Sequence, residues 1–334
     1  MALESPALTA RLLPSAWWQL PLPQLARLAP FEPLVLPAFT AANIQVDIKR
    51  EDLLCPFLGG NKLYKLYFHL QRAQQLKAHT LISFGGAYSN HLYALAKAGA
   101  ELGLVTRAFV RGEPATHLSP TLIDAQNLGM QLTFIDRTEY RQKHSNNFAL
   151  RHGLYPAGVY VIPEGGGDLR GALGMARYAQ EALVQQGHYD AVIMAAGTGA
   201  SLAGLMVAAC ATQTAVHGIL VLKGSANAYD DFARHALRQM TALQRLTSLQ
   251  AKPANASCWQ LHTDFHGGHY GPANGLMAAD IAQVTVQTNI AFDPVYTGKV
   301  VLAAQALAEQ GAWPCGSRIL MIHSGGLQGA RSIF

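Results

Sequence analysis

The chain has 334 residues, half of them hydrophobic and only 13% charged, with 31 glycines and a formal net charge of +5. At roughly 100–200 residues per domain this is one large α/β unit or two domains, and it can bury a sizeable core without staples. The low charge content argues against disorder. The absence of a basic run, or of aromatics interleaved with Lys and Arg, argues against a nucleic-acid partner; the mild positive field suits an anionic small ligand.

Residues 1–45 hold seven of the sixteen prolines and are expected to form an extended, turn-laden arm around the body. Ile44 to Ile48 alternates like a strand and runs through Lys49-Arg50-Glu51-Asp52 into Leu58-Gly59-Gly60-Asn61-Lys62, from which a helical pattern (Leu63, Leu66, Leu70) continues. A regular alternation follows. Strands are predicted at 80–84, 104–110, 131–135, 159–162, 190–196, 217–222, 257–263 and 318–322. Helices are predicted at 91–102, 120–128, 139–151, 169–186, 229–243, 273–288 and 299–310, with one more between the glycine loop at 197 and Ala211. Strands alternating with helices mean open, mostly parallel sheets flanked by helices, an α/β fold. A break near 165–175 divides two α/β halves. Ala191 to Ala211 carries no charge over 21 residues, but its glycines read as a buried strand, a turn and a buried helix rather than a membrane span. Cys55, Cys210, Cys258 and Cys315 are far apart and form no CxxC pair, so free thiols in a reducing compartment are expected. With no basic segment leading into an apolar core at the N-terminus, the chain is expected to be cytoplasmic.

Ligands of open parallel sheets sit beyond the carboxyl ends of the strands. Four glycine-rich loops fall there: 85–90, 165–167, 197–201 and 323–326. Gly197-Thr198-Gly199-Ala200-Ser201 follows a buried strand and opens a helix, an arrangement that offers backbone N–H groups and hydroxyls to an anion. No Lys-Ser/Thr pair makes it a P-loop. The GxGxxG spacing is wrong, and no acidic residue follows about twenty residues on, so a nucleotide-dependent oxidoreductase has this one loop as its support. No metal-ligand spacing and no GxSxG elbow is present. Lys62 sits at the mouth of a helix, where unpaired N–H groups and the dipole favour a neutral, reactive amine. One such lysine, a phosphate cradle without a metal motif and several glycine loops make a kit for pyridoxal phosphate, with the lysine as its attachment point and the cofactor as electron sink.

Seven motifs in order carry a resemblance over nearly the whole chain from about residue 45: Lys49-Arg50-Glu51-Asp52, Gly59-Gly60-Asn61-Lys62, Gly86-Ala87-Tyr88-Ser89-Asn90-His91, Pro163-Glu164-Gly165-Gly166, Gly197-Thr198-Gly199, Asp293-Pro294-Val295-Tyr296-Thr297-Gly298-Lys299 and His323-Ser324-Gly325-Gly326. The sequence resembles the 1-aminocyclopropane-1-carboxylate deaminase and D-cysteine desulfhydrase family, pyridoxal-phosphate enzymes of the tryptophan-synthase-β-like fold. The resemblance implies that Lys62 carries the cofactor and that Asn90 bonds its phenolic oxygen. It implies that 197–201 bind its phosphate, and that Thr297 and Ser324 contact it. Ser89 would contact the carboxylate of a small amino-acid substrate, with Asn90, His91 and Tyr88 beside it, and Tyr270 and Tyr296 would line the substrate face. Ser89, Tyr270 and Tyr296 join Lys62 as candidate catalytic residues. A small domain of 65–175, a large domain of 1–64 plus 176–334 and a homodimer are also implied.

In members resembling the deaminases, Glu follows Asp-Pro-Val-Tyr and Leu follows the late His; here Thr297 and Ser324 stand there, as in desulfhydrase-like members. A carboxylate beside the pyridine nitrogen deepens the electron sink, which suits opening a ring that has no Cα proton. A hydroxyl suits removal of a Cα proton and expulsion of a thiolate. The expected activity is therefore D-cysteine desulfhydration, with cyclopropane deamination second and a non-catalytic cofactor-binding protein as the reading from another class. Tyr88 stands where Gln is common, and Tyr64 where Arg is common.

Overall fold

The computed structural model describes residues 16–55, 58, 60–113, 117–223, 225–247, 258–268, 273 and 275–327. Ten strands are present among them: β1 (Phe31–Pro33), β2 (Gln45–Arg50), β3 (Thr80–Gly85), β4 (Val105–Arg111), β5 (Gln131–Ile135), β6 (Val159–Val161), β7 (Ala191–Ala196), β8 (Ala215–Leu220), β9 (Trp259–His262) and β10 (Arg318–His323). Twelve α-helices join them: α1 (Leu22–Leu28), α2 (Pro37–Ala41), α3 (Asn61–Gln75), α4 (Asn90–Leu102), α5 (Pro120–Asn127), α6 (Arg137–Arg141), α7 (Asn146–Arg151), α8 (Leu169–Ala182), α9 (Ala200–Thr212), α10 (Ala226–Thr247), α11 (Gly275–Thr288) and α12 (Thr297–Glu309).

The strands form two sheets, β1-β2-β10-β7-β8-β9 and β5-β4-β3-β6. Every pairing is parallel except β1 against β2. All six residues of β3 and of β7 are buried, which is why these strands read as unbroken apolar runs rather than alternations. The uncharged stretch 191–211 is β7, a turn and α9, whose first ten residues are all buried. Among the described residues no helix is long and apolar enough to cross a membrane. The smaller sheet lies wholly within 80–161, and the division expected at 64/65 falls inside α3.

Two expectations need correction. The proline-rich arm is not simply extended where it is described, because α1 and α2 each carry a proline in the first turn. A missing N–H costs nothing there, since first-turn donors have no helical partner. The single helix expected over 139–151 is two. The Ser145 hydroxyl accepts from Phe148 N–H at 3.2 Å and starts α7 afresh, while Asp136 caps α6.

The strand orders place the site. In the smaller sheet the chain runs outward from β3 to β5 and returns on the other side of β3 as β6. In the larger sheet it runs outward from β7 to β9 and returns beside β7 as β10. The carboxyl ends of β3, β6, β7 and β10 therefore flank the two switch points, where crevices open. These are the four strands that the glycine loops follow.

Helix α8 spans the halves, following β6 and preceding β7, and it packs tightly on both neighbours. A Cβ on Gly174 would lie 1.9 Å from the Tyr64 carbonyl oxygen of α3, and one on Gly204 of α9 would lie 2.5 Å from the Ala172 oxygen of α8.

A second buried polar element lies in the larger sheet. Trp313 Nε1 donates to His217 Nε2 at 3.2 Å, so the His217 proton sits on Nδ1 and is donated to His262 Nε2 at 3.0 Å. Burial, then the neighbouring His262, pushes His217 down to about 4. In the unfolded chain a histidine titrates near about 6.5, so stability from the neutral ring is complete above that pH and is lost as pH falls towards 4. Proton uptake on unfolding near pH 5 should include about one proton that a His217→Gln variant lacks. The slope of unfolding free energy against pH in urea titrations checks this, and equal slopes would contradict it.

Candidate active site

Gly60 makes the first contact. Its φ is +78°, and a Cβ there would lie 1.7 Å from the Ser324 carbonyl oxygen, so the turn before α3 lies directly against the loop after β10. Gly60 N–H donates to the Glu51 carbonyl at 3.1 Å. Beneath this turn the Tyr64 hydroxyl donates to Glu51 Oε2 at 2.5 Å, and the Tyr64 ring stacks on Tyr178 at 4.2 Å. The departure at Tyr64 thus places an uncharged donor on a fully buried carboxylate, whose proton affinity burial raises. Asp52 and His323 meet at 3.3 Å, and His323 Nε2 donates to the Ala291 carbonyl at 2.8 Å; together they tie the end of β2 to the end of β10.

Lys62 follows in the first turn of α3. Its amine donates to Asn61 Oδ1, and Asn61 Nδ2 donates in turn to Ser201 Oγ at 3.1 Å, which joins the starts of α3 and α9. The Lys62 Nζ lies 5.9 Å from the Tyr296 ring centre. Burial lowers its pKa to about 8, against the opposing charge of Asp293. The shift is in the direction expected from the sequence, towards the neutral amine, with desolvation rather than the helix end as its main cause.

Lys65, one turn on, was not singled out by sequence reading. The signal was its i,i+3 spacing from Lys62, which puts both on one helix face. Its buried Nζ donates to Thr198 Oγ1 at 3.1 Å, so it meets the glycine turn after β7. Among the described residues no carboxylate lies within ion-pair distance of it. Desolvation, then Lys62, lowers its pKa well below the lysine range, against Asp168. A buried lysine facing a Gly-Thr-Gly turn at a helix N-terminus is built to receive an anion, whose charge would favour its protonated form. Gly199 holds φ +86°, and a Cβ on Gly197 would meet nothing, leaving the turn open.

His91 supplies a second sign of a ligand. The Ser83 hydroxyl donates to the Ile162 carbonyl at 2.8 Å, so at 2.9 Å from His91 Nε2 it accepts. The proton is then on Nε2, and Nδ1 is a buried acceptor with no partner in the protein. Burial, followed by Lys65 and Lys62, keeps this ring neutral.

These groups surround a cavity of about 220 Å³ between the two sheets. It is lined by Lys62, Ser89, Asn90, His91, Gly197, Thr198, Gly199, Ser201, Tyr296 and Ser324 among the residues predicted for the site. Ser89 also caps α4, accepting from Leu92 N–H at 3.3 Å. Gly326 packs on Asn90, with room for no Cβ. Ala200 is the buried first residue of α9 and does not line the cavity; nor does the half-buried Tyr88. Thr297 is fully buried and turned away. Its hydroxyl donates to Asp293 Oδ2 at 2.7 Å and accepts from Asp293 N–H at 3.0 Å. Asp293 also accepts from the backbone N–H groups of Val295, Tyr296 and Thr297, which fixes the start of α12. Tyr270 lies outside the described residues. Lys65, Glu164, Arg111 and Lys223 line the cavity without having been predicted. Among the described residues no group of three or more His, Cys, Asp or Glu side chains could hold a metal ion.

An amine of lowered pKa, a buried lysine bonded to an anion-binding turn and an orphaned acceptor fit an organic phosphate that carries an aldehyde. If Lys65 holds the phosphate, Lys65→Ala should weaken cofactor affinity about 10–100-fold, the loss of one charge-assisted contact. Absorbance titration of the apo-protein measures this, and an unchanged affinity would place the phosphate elsewhere.

Comparison with known proteins agrees. The model of the pyridoxal-phosphate dependent enzyme family matches residues 27–325. A Pyrococcus horikoshii protein with the provisional name 1-aminocyclopropane-1-carboxylate deaminase is 30% identical over 290 residues, 85% of each chain. A Yersinia enterocolitica D-cysteine desulfhydrase is 30% identical over 295 residues, 84% of this chain and 86% of its own. The crystal structure of an ACC deaminase homologue superposes with a TM-score of 0.75 at 28% identity, covering 90% of both chains. The protein whose Lys62 lines this cavity belongs to the pyridoxal-phosphate-dependent enzyme family and is a lyase of the ACC deaminase/D-cysteine desulfhydrase type.

Proposed function

We propose that the protein is a D-cysteine desulfhydrase, converting D-cysteine and water to pyruvate, ammonia and hydrogen sulfide. The observation that carries the choice is at α12. The residue that would decide the depth of the electron sink is Thr297, and its only proton is held by Asp293. No carboxylate enters the cavity from this helix.

Bound pyridoxal phosphate supplies an electron sink for the bond broken at Cα. Lys65 and the turn 197–199 would hold its phosphate, and Lys62 would be its point of attachment. Ser89 and Asn90, at the N-terminus of α4, meet the substrate carboxylate with a hydroxyl and first-turn N–H groups. Lys62 Nζ takes the Cα proton; an amine with a pKa near 8 is a competent general base at neutral pH. Tyr296 lines the wall facing Lys62.

The second reading is 1-aminocyclopropane-1-carboxylate deamination, favoured by the names of the Pyrococcus relative and the homologous structure. A substrate panel separates the two. Sulfide release from D-cysteine with little 2-oxobutyrate from the cyclopropane is the expected result, and turnover confined to the cyclopropane would reverse the assignment. A homodimer remains part of this proposal, with sedimentation as its test.

A further inference from the structure

Helix α10 contributes none of the described residues that line the cavity, yet it touches two of the loops that do. At the turn after β7, a Cβ on Gly199 would lie 3.5 Å from His235 Cδ2, 3.7 Å from Ala236 Cβ and 3.7 Å from Phe232 Cε2. At the loop after β6, Gln239 Nε2 donates to the Gly167 carbonyl at 2.7 Å, across 72 positions of the chain. A carbonyl oxygen can only accept, so the amide nitrogen of Gln239 is the atom that faces Gly167. The same nitrogen lies 3.0 Å from His235 Nε2, one turn back on α10, which accepts its second proton.

The loop that Gln239 holds rests on both members of the Lys65–Thr198 hydrogen bond. A Cβ on Gly165 would lie 2.7 Å from Thr198 Cγ2, and one on Gly167 would lie 3.2 Å from Thr198 Cβ. A Cβ on Gly166 would lie 3.4 Å from Lys65 Cβ. Thr198 is thus backed by the 165–167 loop, and its neighbour Gly199 by α10.

We propose that Gln239 is a positioning residue: through Gly167 it holds the 165–167 loop against Thr198 and Lys65, and so fixes the cradle for the cofactor phosphate from outside the cavity. This rests on the reading of the turn 197–199 as that cradle. The Gln239 side chain is buried, and its Oε1 has no hydrogen-bond partner among the described residues. A buried acceptor left without a partner costs stability, so a methionine of similar length would fill the space as well or better. Methionine cannot donate to Gly167. The amide therefore acts on the place of the loop more than on the stability of the fold. An anion cradle binds tightly when its groups are in place beforehand; a loosened one must be ordered by the anion, at the expense of affinity.

The test titrates apo-protein with pyridoxal phosphate and with pyridoxal, which lacks the phosphate, and follows absorbance in wild type, Gln239→Met and Gln239→Leu. In both variants affinity for pyridoxal phosphate should fall about tenfold, while affinity for pyridoxal stays within about twofold. The urea midpoint should stay at or above that of wild type. In a Thr198→Ala background, where the loop has lost its contact, Gln239→Met should cost less than about twofold more. If wild type prefers the phosphate form and both variants keep that preference in full, the proposal is overturned and the cradle stands. An equal loss on the two compounds would also overturn it, because Gln239 would then support the cavity as a whole. A wild-type protein that binds pyridoxal as tightly as its phosphate would sink the reading of the turn as a cradle, and the proposal with it.

Discussion

Lys62→Ala should give a folded, colourless protein with turnover reduced by at least about 10⁴-fold, since it removes both the attachment point and a general base. The wild-type protein should be yellow and lose its colour on borohydride treatment with the label on Lys62. Capture of the cofactor aldehyde by apo-protein needs the neutral amine. Its rate should therefore rise with pH and reach half its plateau near pH 8, the value to which burial brings this lysine against the pull of Asp293. Stopped-flow absorbance from pH 6.5 to 9.5 checks the profile. A midpoint near 10.5 would mean that the amine is not desolvated, and retained colour in Lys62→Ala would move the attachment elsewhere.

Gly60→Ala should be nearly as damaging, although it changes one methyl group. The residue sits at φ +78°, where a Cβ is strained, and that Cβ would overlap the Ser324 oxygen at 1.7 Å. Strain of about 1–2 kcal/mol and overpacking of about 1–3 kcal/mol act on the turn that carries Lys62. The expected outcome is a loss of about 2–5 kcal/mol in urea unfolding together with cofactor capture slowed tenfold or more, since Lys62 and Ser324 are pushed apart. If stability fell and capture did not, the turn would be a structural element with no part in aiming the lysine.

The alternation of strands and helices was legible because each buried strand is a short apolar run closed by glycine or a cap, and each helix repeats near 3.6. The boundary errors lie where a local cap overrides the pattern, as Ser145 does in splitting 139–151. Much of the cavity was legible too, since glycine loops mark strand ends from which backbone can reach a ligand. Lys65 was not, because in one dimension it is one lysine among several; only the fold brings it to Thr198, 133 positions away. Thr297 shows the reverse limit. Its identity was readable, but whether its proton faces the cavity or Asp293 depends on a hydrogen bond made by the backbone turn. Arg111 ends a strand of one sheet and Lys223 follows a strand of the other, so no spacing in the chain relates them.

The glycine contacts of α8 bear on how mutational data for this protein should be read. Gly174 and Gly204 do not line the cavity, yet a side chain on either would press into the backbone of a neighbouring helix. In a saturation scan scored by growth, both positions should appear as intolerant as Lys62. Ranking positions by intolerance alone would draw the catalytic centre too large. Scoring abundance beside growth separates the two kinds of position, because the glycine variants disappear from the cell while the lysine variants accumulate as inactive protein.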